Sequence, residues 1–260
     1  HIDRLIEIFN VCWPLYAAMP AVLKDSIEKA YEVSGWNLET SRCRYRDSKG
    51  TPMYPSFLDV LRQVNVVMNE SAYSADSKGD YKGALCTRLK SLTNGLYGQI
   101  FTNDELDGAE LFDENVIIDL SRTGSGETKA LIMGLLVMKL QEYRMAEAEG
   151  GNAPLKHVTV LEEAHHILKR TSVEQSGEGA NLLGKSVEML ANSIAEMRTY
   201  GEGFIIADQA PGLLDRSVIR NTNTKIILGL PDFEDRELVG SSANLNEDQI
   251  LELSRLKTFV

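Results

Sequence analysis

The sequence predicts an α/β protein in which a mostly parallel sheet is preceded by an all-helical segment. From Asn115 onward, short apolar runs alternate with long helical patterns, the rhythm that places a parallel sheet between layers of helices. The first hundred residues instead show one helical signal after another. With 260 residues, of which 43% are hydrophobic, the chain is long enough for one large core or a core with a smaller companion. The predicted division is a helical subdomain over 1–108 and an α/β core over 109–260.

In the helical part, the pattern Arg4 to Trp13 is stopped by Pro14, and Pro20 to Ser34 is opened by proline and closed by Gly35. Ser56-Phe57-Leu58-Asp59 has the form of a capping box that starts a helix running to about Asn69. A further helix is expected over Tyr81 to Leu92. Between them, Ser41-Arg42-Cys43-Arg44-Tyr45-Arg46 sets three arginines at alternate positions, which face one way if the segment is extended. A solvated loop and a phosphate-contacting edge both fit that pattern.

In the second part, Val116 to Asp119 is expected to form a short buried strand. Thr128 to Met145 follows as a long helix with apolar residues on nearly every side of its early turns. Val158 to Leu161 reads as a buried parallel strand, Ala180 to Tyr200 as a helix, and Gly203 to Ala207 as the next strand. Leu213 to Arg220 is expected as a short helix and Lys225 to Gly229 as a fourth strand. A last helix runs from a cap at Asn246 to about Arg255.

The net charge of −11 argues against a surface built to coat nucleic acid, a task that uses Lys and Arg to displace counterions, but leaves room for a narrow basic channel. The acidity sits mainly in the second part, with 15 basic and 24 acidic residues after Gly108 against 12 and 14 before it. The longest apolar run, Ala130 to Met138, is about half of what a bilayer requires. Three scattered cysteines, Cys12, Cys43 and Cys86, lack ligand spacing and read first as ordinary part-buried thiols, which fits a reducing cytoplasm.

The chemistry centres on Val158-Thr159-Val160-Leu161-Glu162-Glu163-Ala164-His165-His166, where two carboxylates stand at the end of a strand, the edge at which open α/β sheets bind ligands. Two readings stand side by side. In a Walker B type element the first acid holds a hydrated magnesium ion and the second polarises an attacking water. Otherwise the acids favour the first turn of a helix through its dipole. His165 and His166 fit neither HExxH nor its inversion, so packing beside the site is the preferred reading over zinc. Gly124-Ser125-Gly126-Glu127-Thr128-Lys129 does not fit G-x-x-x-x-G-K-[ST] and reads as a strand-to-helix turn. No Walker A element is assigned, and a nucleotide site at Glu162 and Glu163 would need one from residues before His1.

Four motifs in order, Ile117 to Ser121, Val160 to His165, Arg198-Thr199-Tyr200-Gly201 leading into Ile205 to Pro211, and Asn223 to Ile227, resemble those of HerA-type ATPases of the HerA/FtsK branch of RecA-like P-loop NTPases. The resemblance covers about Asp113 to Val260, and the helical first part is similar to the insertion these proteins carry between their Walker A and Walker B strands. It implies a RecA-like core, ATP and Mg2+ as cofactors, Glu162 as the Walker B acid and metal contact, and Glu163 as the catalytic glutamate. It further implies Gln209 as a γ-phosphate sensor and Arg198 as an arginine offered to the neighbouring subunit's nucleotide. Capping for Glu163 and helix-end electrostatics for Arg198 remain the alternatives. The absent Walker A, the absent N-terminal β-barrel of the family and a last pair, Phe259-Val260, that reads as the inside of a strand lead to the expectation of a fragment that is inactive alone.

The functional expectation is a hexameric ring motor, a translocase or helicase on double-stranded DNA in the cytoplasm, working with a nuclease or other effector and without a membrane. Thr171 to Asn181 and Ser121 to Lys129 are the candidate DNA loops, while Asn223 and Lys225 are placed at the last strand's ligand edge or on ordinary surface. The alternatives are a nucleotide-dependent scaffold ring that organises an effector, and a conjugation or secretion ATPase.

Overall fold

The computed structural model describes residues 1–103, 105–148, 150–171 and 178–256, with the side chains of 178–181 outside that description. The chain forms two compact units: His1–Ile6 with Leu15–Asp107, and Glu7–Pro14 with Gly108–Val260.

The opening helix α1 (Ile2–Cys12) gives its last residues to the second unit. In the first unit, α2 (Met19–Val33) follows, with Pro20 in its first turn where a missing N–H costs nothing. A two-residue antiparallel pair, β1 (Trp36–Asn37) and β2 (Arg42–Cys43), comes next. Helix α3 (Phe57–Glu70) starts at a capping box in which Ser56 and Asp59 bond reciprocally, as the sequence predicts. Helix α4 (Ala75–Thr93) begins ahead of the expected Tyr81, because the Ser74 hydroxyl accepts from the Ser77 N–H and caps it earlier. Met19, Leu23, Ile27, Val64, Met68, Leu85 and Leu89 build this unit's core, and the short helix α5 (Tyr97–Ile100) follows α4.

The second unit continues through α6 (Gly108–Phe112) to α7 (Gly126–Ala146). Ala130 to Gly134 are buried in succession, so α7 is enclosed on several sides as predicted. A Cβ on Gly134 would stand 2.7 Å from the Ile8 side chain, so the small residue is what lets α1 lie close. After α7 come β3 (His157–Glu162), a 3-10 turn at Ala164–His166, α8 (Glu178–Glu196), a second 3-10 turn at Met197–Tyr200, and β4 (Glu202–Ala207). The predicted helix over Leu213 to Arg220 is a 3-10 turn at Pro211–Leu213 followed by α9 (Arg216–Asn221). Helix α10 (Phe233–Ser242), which the sequence reading lacks, precedes α11 (Glu247–Glu252), capped by Asn246.

The sheet is smaller than expected. Strands β3 and β4 run parallel, with Val160 opposite Ile205 and Glu162 opposite Ala207, and the described residues add no further strand to them. Val116 to Asp119 and Lys225 to Gly229 are irregular rather than strands, because nothing among the described residues pairs with them and a strand exists only through its partner's hydrogen bonds. Ile117 is 95% exposed and Ile226 88%. Nor is β3 buried on both faces: Val158 and Val160 are exposed while Leu161 is buried.

At the amino ends of β3 and β4 lies a buried ionic cluster. The Glu202 side chain is fully buried and accepts from Arg144 Nε at 2.9 Å and from the Thr159 hydroxyl at 2.7 Å, with His157 Nδ1 at 2.8 Å. Arg144 also donates to Asp113 at 2.6 Å and to the Phe112 carbonyl, which binds the end of α7 to α6 and to the sheet.

Candidate active site

Strand β3 ends because Glu163 takes a left-handed conformation, φ 50° and ψ 46°, which turns the chain out of the sheet. For a residue with a Cβ that backbone costs about 1–3 kcal/mol and persists only when its surroundings impose it. The turn aims the Glu163 carboxylate at the side chains of Lys129 and His166. Lys129 Nζ, on the first turn of α7, lies 3.3 Å from Oε2, and His166 Nε2 lies 3.3 Å from the same atom. The hydrogen bond and charge of Lys129, then the His166 bond, hold the Glu163 carboxyl below the usual glutamate range. Lys129 is fixed in turn by the cap of α7, where the Ser125 hydroxyl accepts from the Thr128 N–H at 3.1 Å.

A second constellation stands beside the first. Asp208 follows β4 directly, its side chain almost wholly buried, and Oδ2 accepts from the His165 backbone N–H at 3.0 Å while lying 2.8 Å from His165 Nδ1. The other oxygen, Oδ1, accepts from the Ala210 N–H at 3.0 Å. A carboxylate on Nδ1 keeps the proton there in the neutral ring, which leaves Nε2 as an acceptor. The two imidazoles lie tilted by 35° with centroids 4.6 Å apart.

The register assembles part of the expected site. Glu162 closes β3 opposite Ala207, so Glu162, Glu163 and Gln209 share the carboxyl edge of the sheet. Glu162 and Gln209 are exposed, and neither has a side-chain partner among the described residues. An exposed, unpaired carboxylate suits a magnesium ion, which takes one or two protein oxygens and keeps several waters. Arg198 is not with them. It sits in the 3-10 turn that precedes β4, exposed and unpartnered among the described residues, at the opposite end of the strands. Gly201, in the same turn, has φ 84°, and a Cβ there would come 2.4 Å from the Pro154 carbonyl, so glycine is required for the approach.

Other expectations fare differently. Of the two loops expected to contact DNA, Ser121 to Lys129 carries Lys129 to Glu163, whereas 172–177 and the side chains of 178–181, most of the other loop, are outside the described residues. Lys225 Nζ donates to the Thr222 carbonyl and so serves its own turn. Overlooked in the sequence is a literal G-x-x-x-x-G-K-S string, Gly179 to Ser186. It does not form a phosphate loop: all of it lies within α8, and Ser186 is buried with its hydroxyl donating to the Glu7 carboxylate. Lys129 and Asp208 were also missed as partners; Asp208 directly follows β4 and Lys129 sits in the first turn of α7, the only local signals they carry.

Comparison with known proteins finds no matching family model. Among curated proteins, the DNA double-strand break repair helicase HerA of Sulfurisphaera tokodaii is 28% identical over 206 residues, 76% of this chain and 38% of that protein. HerA of Sulfolobus acidocaldarius is 27% identical over 146 residues, 55% and 27% of the two chains. The probable helicase MJECL08 of Methanocaldococcus jannaschii is 30% identical over 102 residues, 39% and 18%. The chain thus spans about two fifths or less of the length of the curated relatives it matches. Among solved structures, VirB4 of Thermoanaerobacter pseudethanolicus superposes with a TM-score of 0.66 at 18% identity, over 99% of this chain and 64% of that one, a likeness of fold. The resemblance read from the motifs is borne out by the relatives' names. Among the described residues no helix is long and apolar enough to cross a membrane, and no group of His, Cys, Asp and Glu could hold a metal ion through three or more of them.

Proposed function

We propose that this chain, a relative of the HerA-type ATPases, is the Walker B side of an ATP-hydrolysing ring motor that acts on double-stranded DNA with a nuclease or other effector. The observation that carries the reading is the register of β3 and β4, with Glu162, Glu163 and Gln209 on one edge and Arg198 at the other. Glu162 holds hydrated Mg2+, which neutralises phosphate charge. Glu163 orients the attacking water, and Gln209 contacts the γ-phosphate. Arg198, too far along the strand to reach its own chain's site, completes the site of a neighbouring copy, which makes a ring the natural assembly. The first unit is the helical insertion between Walker A and Walker B strands.

Gly124 to Lys129 does not fit G-x-x-x-x-G-K-[ST] and the Gly179–Ser186 string is helical, so these 260 residues alone are expected to turn over little or no ATP. The test uses a longer form that carries a Walker A loop. Glu163→Gln should lower turnover by ~10²–10⁴ and spare nucleotide binding. Activity within a few fold of the parent would return Glu163 to a capping role.

The fold likeness to VirB4 favours a second reading, a secretion- or conjugation-type ATPase with the same core. Turnover stimulated by duplex DNA supports the motor, whereas nucleotide-dependent assembly indifferent to DNA supports a scaffold ring or a secretion ATPase.

A further inference from the structure

The three arginines at alternate positions, Arg42, Arg44 and Arg46, fall on a small ribbon of the first unit, away from the candidate acids in sequence and in unit. The middle segment of the ribbon is bonded on both sides. On one side β2 pairs with β1 and the Arg44 N–H donates to the Gly35 carbonyl at 2.8 Å; on the other the Met53 N–H donates to the Tyr45 carbonyl at 3.1 Å, with Arg46 bridged to Pro52. Between the arginines, the half-buried Cys43 places its thiol 3.1 Å from the Tyr45 carbonyl, and Tyr45 lies on Gly35. A Cβ on Gly35 would come 2.4 Å from the tyrosine ring, and its φ of 94° suits glycine for the same reason. Arg42 and Arg44 are left exposed and make no ion pair among the described residues, while Arg46 Nη1 donates to the Gly50 carbonyl at 2.9 Å in the ribbon's own turn.

Residues 36–54 carry four basic side chains, Lys49 being the fourth, against two acids, Glu39 and Asp47. Asp47 Oδ1 accepts from the N–H groups of Lys49 and Thr51 at 2.9 and 2.8 Å and so shapes the turn. The acids lower the local charge without cancelling it, which leaves a positive island on a chain whose net charge is −11. Rings accompany the charge. Tyr45 is 54% exposed although it rests on Gly35, and Tyr54 is 45% exposed beside Trp36, with ring centroids 4.9 Å apart. Trp36 is itself fixed by its indole N–H, which donates to the Met53 carbonyl at 2.6 Å. Rings already held in place lose little freedom on binding. Guanidinium groups pair with phosphates and bare rings take the flat faces of bases, a combination that an unstacked nucleic-acid strand satisfies. An acidic peptide would meet the charge and leave the rings without flat partners, and a duplex keeps its base faces stacked.

We propose that this ribbon holds a single strand of nucleic acid, with Arg42 and Arg44 on its phosphates and Tyr45 against a base. The site lies wholly in the first unit and does not rest on the catalytic reading of Glu163. The purified chain, without nucleotide, is titrated by fluorescence anisotropy at low salt with fluorescein-labelled oligothymidine, oligouridine and a DNA duplex. At least one single strand should bind more tightly than the duplex, and the tighter of the two distinguishes DNA from RNA. Arg42→Ala/Arg44→Ala should weaken that binding by on the order of tenfold or more and make the slope of log K against log salt shallower by ~0.7 per lost phosphate contact. Tyr45→Ala should cost on the order of tenfold with the salt slope unchanged, whereas Tyr45→Phe, which keeps the ring, should bind as the parent does and guards against a folding defect. Binding of neither single strand, a preference for the duplex, or equal binding by parent and arginine variant overturns the site. Tyr45→Ala that binds like the parent overturns the stacking. Polyglutamate that displaces the oligonucleotide at equal charge concentration would make the ribbon a protein-docking surface and overturn the nucleic-acid assignment. Because ATP turnover is not read, failure here is separate from failure of the ATPase reading.

Discussion

Replacing Arg144 with Met tests what holds the amino end of the sheet to α7. The Arg144 side chain is 3% exposed and Glu202 fully buried, so the substitution leaves a carboxylate without its guanidinium in a place water does not reach. His157 and Thr159 stay on the other oxygen, Oε1, and Oε2 is orphaned. Breaking a buried pair from one side costs about 3–5 kcal/mol. Loss of the Asp113 contact adds at most about 1 kcal/mol, because that carboxylate is half exposed. Each unit has its own tryptophan, Trp13 in the second and Trp36 in the first, so urea unfolding followed by fluorescence in a Trp36→Phe background reports the second unit. At a slope of roughly 2 kcal/mol per M, the midpoint should fall by about 2 M. Adding Glu202→Gln to Arg144→Met removes the stranded charge but keeps the acceptor for Thr159, and should restore at least half of the loss. A cost below about 1 kcal/mol, or a double variant no better than the single, would refute the idea that charge pairing governs this corner.

Lys129→Met should raise the Glu163 carboxyl from its depressed position. The contribution of the Lys129 contact is present above the ordinary glutamate range and lost as pH falls through the lowered value, so in the variant the acid limb moves up; a 13C titration of Glu163 indistinguishable from the parent's would count against the clamp. Tyr143, whose hydroxyl donates to Asp113 at 2.5 Å, has its phenol pushed up to about 12 by that bond, and its stabilisation should be full below the ordinary tyrosine range and disappear toward pH 12. Ultraviolet titration should find one late phenol among nine tyrosines, absent in Tyr143→Phe. In active rings, Arg198→Ala should cost on the order of 10³-fold in turnover. Mixing those subunits with Glu163→Gln subunits should restore some of it, and no recovery in rings proven mixed would place Arg198 in its own chain's site or in packing alone.

What the sequence disclosed was local. The capping box at Ser56, the cap at Asn246, Pro20 at a helix start and the apolar runs of β3 and β4 announce themselves within a few residues, and all are found near their predicted places. Helix α10 was missed because Phe233–Ser242 ends in Gly240, Ser241 and Ser242 and has no clear apolar stripe; the Asp232 cap, which accepts from the Asp235 N–H, was its one signal. Val116 to Asp119 has every local property of a strand and is not one, since pairing depends on a distant partner. The carboxyl-edge acids were legible as a motif, but their neighbours were not. Lys129 meets Glu163 across 34 positions, His165 meets Asp208 across 43, and Arg144 meets Glu202 across 58.

The bare apolar stretches around Ile117 and Ile226, with Val158 and Val160 on the open face of the sheet, bear on how the protein behaves in a tube. Flat apolar backbone with unused hydrogen-bonding groups is a template for pairing with another molecule. Against this stands a charge of −11, which keeps molecules apart only within the reach of its field, about 10 Å at 0.1 M salt. Dilute buffer at neutral pH therefore keeps the chain dispersed. Salting it up, or acidifying toward its isoelectric point near 4.9, should cloud the solution while every molecule in it is still folded.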